Sequence, residues 1–149
     1  MEAKGAEILV FVFAKDGEEW RLESRNEIND FAGMEVVDKM GFQYTGSGKP
    51  GVLIASHEMG GKCESYHVNA VMLGDGGNRV FPIEIDDDCD FDYGNEFSEF
   101  KARFDAKSSS DDIVVSYRNQ NKPRNRRWRL QDGEYKEVKV ARRGGKKRK

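Results

Sequence analysis

The chain has 149 residues, 37 % hydrophobic and 35 % charged, with a formal net charge of −2. That length suffices for one domain with a buried core, and no apolar run approaches the roughly 18 residues of a membrane-spanning helix. The start lacks a signal peptide's apolar segment, and Cys63 and Cys89 have neither metal-binding nor redox spacing. These features predict an intracellular protein with no membrane partner, located in the cytoplasm, or in the nucleus if the source is eukaryotic or viral.

The N-terminal part predicts two strands and a helix. The apolar run within Glu7 to Lys15 is continuous, which predicts a central strand covered on both faces. Asp16-Gly17 predicts a hairpin turn into a second strand, Glu18–Ser24. Apolar residues at helical spacing then predict a helix from Asn26 to about Met40.

The middle of the chain predicts three strands and a second helix. The glycine-rich segment Gly46 to Gly51 predicts a mobile surface loop, because its spacing does not match a phosphate-binding loop. Three phenylalanines at helical spacing predict a short helix from Asn95 to Ala106. The predicted strands are Val52–Ser56, Tyr66–Leu73 and Arg79–Ile85.

The predicted fold class is α+β, with a mostly antiparallel sheet, two helices, a C-terminal β-hairpin and a disordered basic tail. Residues 1–110 carry 11 Lys and Arg against 22 Asp and Glu, and residues 111–149 carry 14 against 5. The two parts therefore have net charges of −11 and +9. This asymmetry predicts an acidic core (1–107), a basic strand and hairpin region packed on it (111–141) and a basic tail (142–149).

The predicted C-terminal hairpin turns at Gln131-Asp132-Gly133. A three-residue loop would pair Arg129 with Tyr135 and gather Trp128 with other apolar residues on one face. The opposite face would then be cationic and partly aromatic, with Arg129 and Tyr135 on it.

Two basic clusters flank this hairpin, and such clusters suit the phosphates of DNA or RNA. Tyr117, Trp128 and Tyr135 alternate with the charges, as in surfaces that stack nucleic-acid bases. The predicted nucleic-acid-binding residues are Arg118, Lys122, Arg124, Arg126, Arg127, Arg129, Tyr135, Lys139, Arg142, Arg143, Lys146, Lys147, Arg148 and Lys149.

An acidic run from Asp86 to Asp92 is the candidate metal site. Its alternating acids resemble the calcium loop of EF-hand proteins, with Glu99 twelfth counting from Asp88. Tyr93 stands where that loop has glycine, and a strand precedes the loop instead of a helix. The resemblance implies a looser divalent-cation site, with no other cofactor, formed by Asp88, Asp90, Asp92, Glu96 and Glu99. The alternative interpretation is a solvated acidic turn.

Two further interpretations remain open. Cys63 and His67 are the residue types of a cysteine hydrolase, in which the thiol and the imidazole come from different parts of the fold. Here they lie four residues apart, on one predicted strand and the loop that precedes it, which does not favour such an enzyme. The basic tail could also contact the protein's own acids or an oppositely charged protein.

The sequence therefore predicts a small non-catalytic DNA- or RNA-binding protein with an accessory or regulatory role. The alternatives are a protein-interaction or inhibitor module with an acidic face and, with less support, a metal-dependent or cysteine hydrolase.

Overall fold

The computed structural model describes residues 8–28, 34–59, 65–73, 79–85 and 97–139, whose regular elements are all β-strands. They are β1 (Ile8–Asp16), β2 (Glu19–Ile28), β3 (Met34–Tyr44), β4 (Pro50–Met59), β5 (Tyr66–Met72), β6 (Arg79–Ile85), β7 (Phe97–Phe104), β8 (Ile113–Asn119), β9 (Lys122–Gln131) and β10 (Glu134–Val138). The predicted α+β class is wrong, because this part of the chain is all-β with antiparallel pairing. Across these ranges, no helix has the length and apolar character needed to cross a membrane.

The helix predicted over residues 26–40 is wrong. Its first three residues end β2, and residues 34–40 belong to β3, which pairs with β4 from Met34↔Met59 to Tyr44↔Pro50. The β-branched Val36 and Val37 favour an extended backbone. A register shift between Val37 and Lys39 interrupts the two-residue alternation by which a strand is recognised in the sequence. Residues 29–33 lie outside the described ranges.

The helix predicted over residues 95–106 is wrong for a more specific reason. Residues 97–104 form β7, whose register against β8 shifts between Ser98 and Lys101, where Glu99 has a φ of 54°. This bulge inserts an extra residue and resets the strand's two-residue alternation. Phe97 and Phe100, three residues apart as on a helix, are therefore both buried in the same core.

Two four-stranded sheets stack face to face as a β-sandwich. Their strand orders are β3-β4-β5-β6 and β10-β9-β8-β7. Tyr66 of the first sheet stacks on Phe100 of the second with ring centroids 3.9 Å apart, and Phe81 meets Tyr135 edge-on at 5.6 Å. These aromatic contacts lie in one continuous core that both sheets line.

β1 and β2 form a separate two-stranded ribbon, called here the β1–β2 ribbon. One of its faces contributes Ile28 to a second apolar cluster with Ile54 and Val71, on the outer side of the first sheet. On the other face, Phe11 and Phe13 are 48 % and 53 % exposed. The prediction of a central strand is therefore wrong, because β1 is hydrogen-bonded to β2 in a two-stranded sheet, and within the described residues one of its faces is covered.

The loop between β3 and β4 packs against the loop between β7 and β8. A Cβ on Gly46 would lie 2.1 Å from the carbonyl oxygen of Ser108, so the two backbones are in close contact. The Ser47 hydroxyl donates a hydrogen bond to the Asp111 carboxylate, and Thr45 is buried beneath the loop. Ser47, Gly48 and Lys49 are exposed, as expected of a surface loop, while Gly46 packs this loop against the loop between β7 and β8.

The C-terminal hairpin is present, but its predicted register is wrong. Its loop has two residues, Asp132 and Gly133, with φ of 51° and 83°, a combination typical of a type I′ turn. Leu130 therefore pairs with Tyr135, where the longer loop would have paired Arg129 with it. Trp128 is 5 % exposed, which confirms its predicted place in the core.

Some predicted features lie outside the described residues. They are Cys63, Cys89, Asp88, Asp90, Asp92, Glu96 and the basic tail, 142–149. Across the predicted boundary between residues 107 and 111, β7 and β8 are hydrogen-bonded neighbours in one sheet.

Candidate nucleic-acid interface

β8 and β9 form a hairpin that is rich in cations and free of acids, called here the β8–β9 hairpin. Between Asp112 and Asp132 the chain has six Lys and Arg and no Asp or Glu. The hairpin turns at Gln120 and Asn121, whose φ values of 50° and 62° fit a type I′ turn, for which asparagine is favoured. The tight turn brings the cations of both strands onto one narrow ribbon.

In the half of the hairpin near Trp128, the arginines donate hydrogen bonds to carboxylates of the same protein. Arg127 donates to Asp112 at 2.9 Å through Nη1 and to Asp105 at 2.8 Å through Nη2. Arg129 donates to both oxygens of Asp112, at 3.0 and 2.9 Å. These four residues, named here the arginine–aspartate cluster, join β9 to the loop between β7 and β8.

The residues around Asp112 stabilise the ionised form of its carboxylate. Its side chain is fully buried, and burial raises its pKa, but hydrogen bonds from Arg129, Arg127 and Ser110 outweigh burial and bring the pKa to about 2. A hydrogen bond from Arg127 is the main cause that lowers the pKa of Asp105. The two arginines are thus required to stabilise buried negative charge.

Arg126 is also engaged within the protein. It donates from Nε and Nη2 to the two carboxylate oxygens of Glu137, at 2.8 Å each, and it lies over the Trp128 ring at 5.0 Å. This fork-like pair across β9 and β10 leaves the guanidinium partly buried.

The aromatic residues expected to stack on bases belong to the core. Tyr117 and Trp128 are 2 % and 5 % exposed. Tyr135 donates its hydroxyl to the Asp111 carbonyl oxygen at 2.7 Å, and burial, together with the nearby charges of Asp111 and Asp112, raises its pKa. None of these three rings presents a free face of the kind that base stacking needs.

The other half of the hairpin, residues 118–124, presents its cations to solvent and is named here the hairpin tip. Lys122 and Arg124 are exposed, and Arg118 is half-buried. An open groove of about 170 Å³ lies against it, lined by Glu99, Lys101, Ser116, Tyr117, Arg118, Pro123, Arg124 and Asn125. Three cations, three neutral hydrogen-bonding side chains and one carboxylate thus line a space open to a phosphate-sized group.

Lys101 and Ser116 also line the groove but are not among the residues predicted from the sequence. Both lie on strands of the second sheet and pair across β7 and β8. The signal was the alternation of charged and apolar residues from Phe100 to Phe104, which is typical of a strand. Because residues 95–106 were assigned to a helix, Lys101 was not placed beside Arg118.

The remaining predicted residues are not gathered into one site. Lys139 follows β10 and is exposed, and Glu99 is the described member of the predicted metal set. Within the described ranges, no three His, Cys, Asp or Glu residues are grouped to hold a metal ion. His67 lies opposite Glu84 across β5 and β6, and the His57 ring lies 5.3 Å from that of Tyr66.

The chain was compared with family models, with curated proteins and with solved structures, and none of the three comparisons yields a match.

Proposed function

We propose that the protein binds DNA or RNA without catalysing a reaction, and that the hairpin tip is its point of contact. The observation that carries this proposal is the acid-free run between Asp112 and Asp132, two of whose cations, Arg118 and Arg124, line an open groove together with Lys101 of β7. Phosphate groups are bound by accessible Lys and Arg, and at the tip Lys122 and Arg124 are exposed while Arg118 is half-buried.

The geometry favours a duplex over a single strand. Base stacking on a single strand needs exposed aromatic rings, and Tyr117 and Trp128 are buried. A two-stranded β-ribbon is narrow enough to enter the major groove of a DNA duplex. Gln120 and Asn121 stand at its end, where amide groups can accept and donate hydrogen bonds to base edges.

The basic residues of the tail, 142–149, would add further phosphate contacts. With roughly four to six cations on phosphate, log K should fall with log salt with a slope of about −4 to −5 on duplex DNA. Removal of the tail should lower the affinity and the magnitude of the slope. Replacing both Arg118 and Arg124 at the hairpin tip by Ala should lower the affinity and the magnitude of the slope further.

The decisive experiment is a salt titration of binding to a duplex of mixed sequence, with single-stranded DNA and RNA as parallel probes. The variant Arg118→Ala with Arg124→Ala should reduce the magnitude of the slope by about 2, because each phosphate contact contributes about one unit. The matched control is Arg21→Ala with Lys107→Ala, which removes the same charge from exposed positions elsewhere. An equal loss of affinity in both variants, or no binding at about 50 mM salt, would reject the proposal.

A further inference from the structure

The β1–β2 ribbon carries an uncovered apolar face. Its five largest apolar side chains are 39 % to 66 % exposed: Leu9 (39 %), Phe11 (48 %), Phe13 (53 %), Trp20 (66 %) and Leu22 (50 %). Monomeric proteins seldom expose so many large apolar side chains together, and those that do generally use them to bind a partner.

The strand register places these side chains on one face. Phe13 pairs with Leu22, and Lys15 pairs with Trp20. Leu9 and Phe11 lie four and two residues before Phe13 on the same strand. Opposite them are Glu27 and Arg25, which form an ion pair with each other. The face is thus an apolar strip with charge near its ends.

The sequence of β1 calls for cover on both faces. A continuous apolar run such as Ile8 to Ala14 is typical of a strand that is buried on both sides. The fold supplies cover on one side, through the cluster of Ile28, Ile54 and Val71. Cover for the other side must come from outside the described part of the chain.

We propose that a second copy of this chain covers the face, by stacking the two ribbons around a two-fold axis. The five side chains expose on the order of 500 Å² per copy, taking about half of the roughly 200 Å² that each can bury. Two copies would bury about 1,000 Å² in total, the lower bound of a specific interface. The expected dimer is therefore weak and depends on protein concentration.

The charges on the ribbon favour a second copy over a polyanion. Residues 8–28 carry three Lys and Arg against five Asp and Glu, so the ribbon repels phosphate and anionic lipid. In a two-fold stack of the strip, the turn end of one ribbon, at Asp16 and Glu19, lies over the open end of the other, at Ile8 and Ile28. Lys15, near the turn end, would then meet Glu27 near the open end of the partner's ribbon, while apolar side chains meet at the centre.

Sedimentation velocity of the full chain, from about 1 to 200 μM, tests this association. The mass should rise toward that of two chains, and Phe13→Glu should weaken association at least ten-fold, because it places a charge at the centre of the strip. The control is Phe42→Ser with Tyr44→Ser, which removes exposed aromatics of β3 and should leave association unchanged. Circular dichroism of each variant checks that the fold is retained.

Trp20 gives a second readout in the unmodified chain. Trp128 is 5 % exposed, so acrylamide quenches chiefly Trp20, which is 66 % exposed. Quenching should increase on dilution as the two ribbons separate. Dilution should not change it in the Phe13→Glu variant.

Four results would overturn the proposal. They are a wild-type chain that stays monomeric at about 200 μM, masses beyond two copies, equal weakening by the β3 control, and a monomer that floats with phosphatidylcholine vesicles through Phe13. The last would assign the face to a neutral lipid surface. Because the ribbon and the hairpin tip are separate surfaces, this test is independent of nucleic-acid binding.

Discussion

Arg129 holds the carboxylate of Asp112 with two parallel hydrogen bonds, from Nε to Oδ1 at 3.0 Å and from Nη2 to Oδ2 at 2.9 Å. Arg127 and Ser110 donate to the same carboxylate, at 2.9 and 2.8 Å. A fully buried carboxylate needs such donors, because transfer of an ion from water is costly unless its oxygens are satisfied. This part of the basic region is therefore built to stabilise the fold.

Replacement of Asp112 by Asn should lower the free energy of unfolding by about 2–4 kcal/mol, because charge-assisted hydrogen bonds to both arginines are weakened. Urea denaturation measures the loss. The matched control is Asp132→Asn in the exposed turn of the C-terminal hairpin, where asparagine tolerates the positive φ as well as aspartate does. It should change stability by no more than about 0.5 kcal/mol. Equal effects at the two positions would contradict the role assigned to Asp112.

Acid should destabilise the wild type more than the Asp112→Asn variant. The pKa of Asp112 falls from 3.8 to about 2 on folding, so its contribution is complete above pH 3.8 and is lost as pH falls toward 2. Lowering the pKa of Asp112 from 3.8 to about 2 corresponds to about 2–3 kcal/mol of folding stability. Asp105 and Asp111 also have lowered pKa values and act in the same direction in both proteins.

Denaturant titrations should therefore show that the difference in unfolding free energy between the wild type and Asp112→Asn depends on pH. Between about pH 6 and pH 2.5 the difference should narrow by most of the roughly 2–3 kcal/mol that the lowered pKa contributes. A difference that is constant across this range would show that the Asp112 carboxylate is not the group that titrates.

Single arginine variants should separate stability from binding along one hairpin. Arg127→Ala removes two donors from buried or half-buried carboxylates and should cost about 1–3 kcal/mol of stability. Arg124→Ala, at the exposed tip, should change stability little and lower nucleic-acid affinity. Thermal unfolding and salt titration of both variants at a temperature where each is folded provide the comparison. If Arg127→Ala weakens binding more than Arg124→Ala while its stability is unchanged, the two halves of the hairpin have been assigned the wrong way round.

Local pattern predicted the strands whose alternation is regular. The predicted strand Arg79–Ile85 is β6, and the strand predicted as Tyr66–Leu73 differs from β5 by one residue at its end. Both alternate without a bulge against their neighbours, so the two-residue period is visible in the sequence. The two helices were wrongly predicted where a bulge at Glu99 produced the spacing of a helix in β7, and where a register shift between Val37 and Lys39 interrupts the alternation of β3.

The candidate site was predictable as a region but not as a set of contacts. Counting charge identified the acid-free basic run from Arg118 to Arg129, but not that this run folds into the β8–β9 hairpin. It could not distinguish Arg127, which is half-buried beside Asp105 and Asp112, from Arg124, whose side chain is exposed. That distinction depends on which acids other strands bring beside each arginine, and a one-residue change in hairpin register also moved Tyr135 into the core.

Gly46 should be intolerant of any side chain. A Cβ there would lie 2.1 Å from the Ser108 carbonyl oxygen and 2.3 Å from that of Ser110, and backbone atoms cannot move aside cheaply. Gly46→Ala should therefore destabilise the protein by about 3 kcal/mol or more, at the upper end of overpacking effects. Gly48→Ala is the control, since Gly48 has a φ of 84° but open space around it, and should cost only about 1 kcal/mol. Urea denaturation of both variants checks the order, and a smaller loss at Gly46 would contradict the close contact of the two loops.

Glu99 should oppose nucleic-acid binding at the hairpin tip. Its carboxylate lines the groove with Lys101, Arg118 and Arg124, so it repels a phosphate that approaches those cations. Glu99→Gln keeps the shape and the backbone strain of the bulge, because glutamine meets the same cost at a φ of 54°. Removing one exposed charge should strengthen binding by about 0.5–1 kcal/mol, about two- to five-fold, at roughly 50 mM salt. The gain should shrink as salt is raised, because screening shortens the reach of exposed charges to about 8 Å at 0.15 M.

The control for Glu99→Gln is Glu84→Gln on β6, which makes the same change in net charge on the other sheet and should leave affinity within about 0.3 kcal/mol of the wild type. If both variants bind equally well, the effect is one of net charge alone, and the groove beside Glu99 is not where phosphate binds.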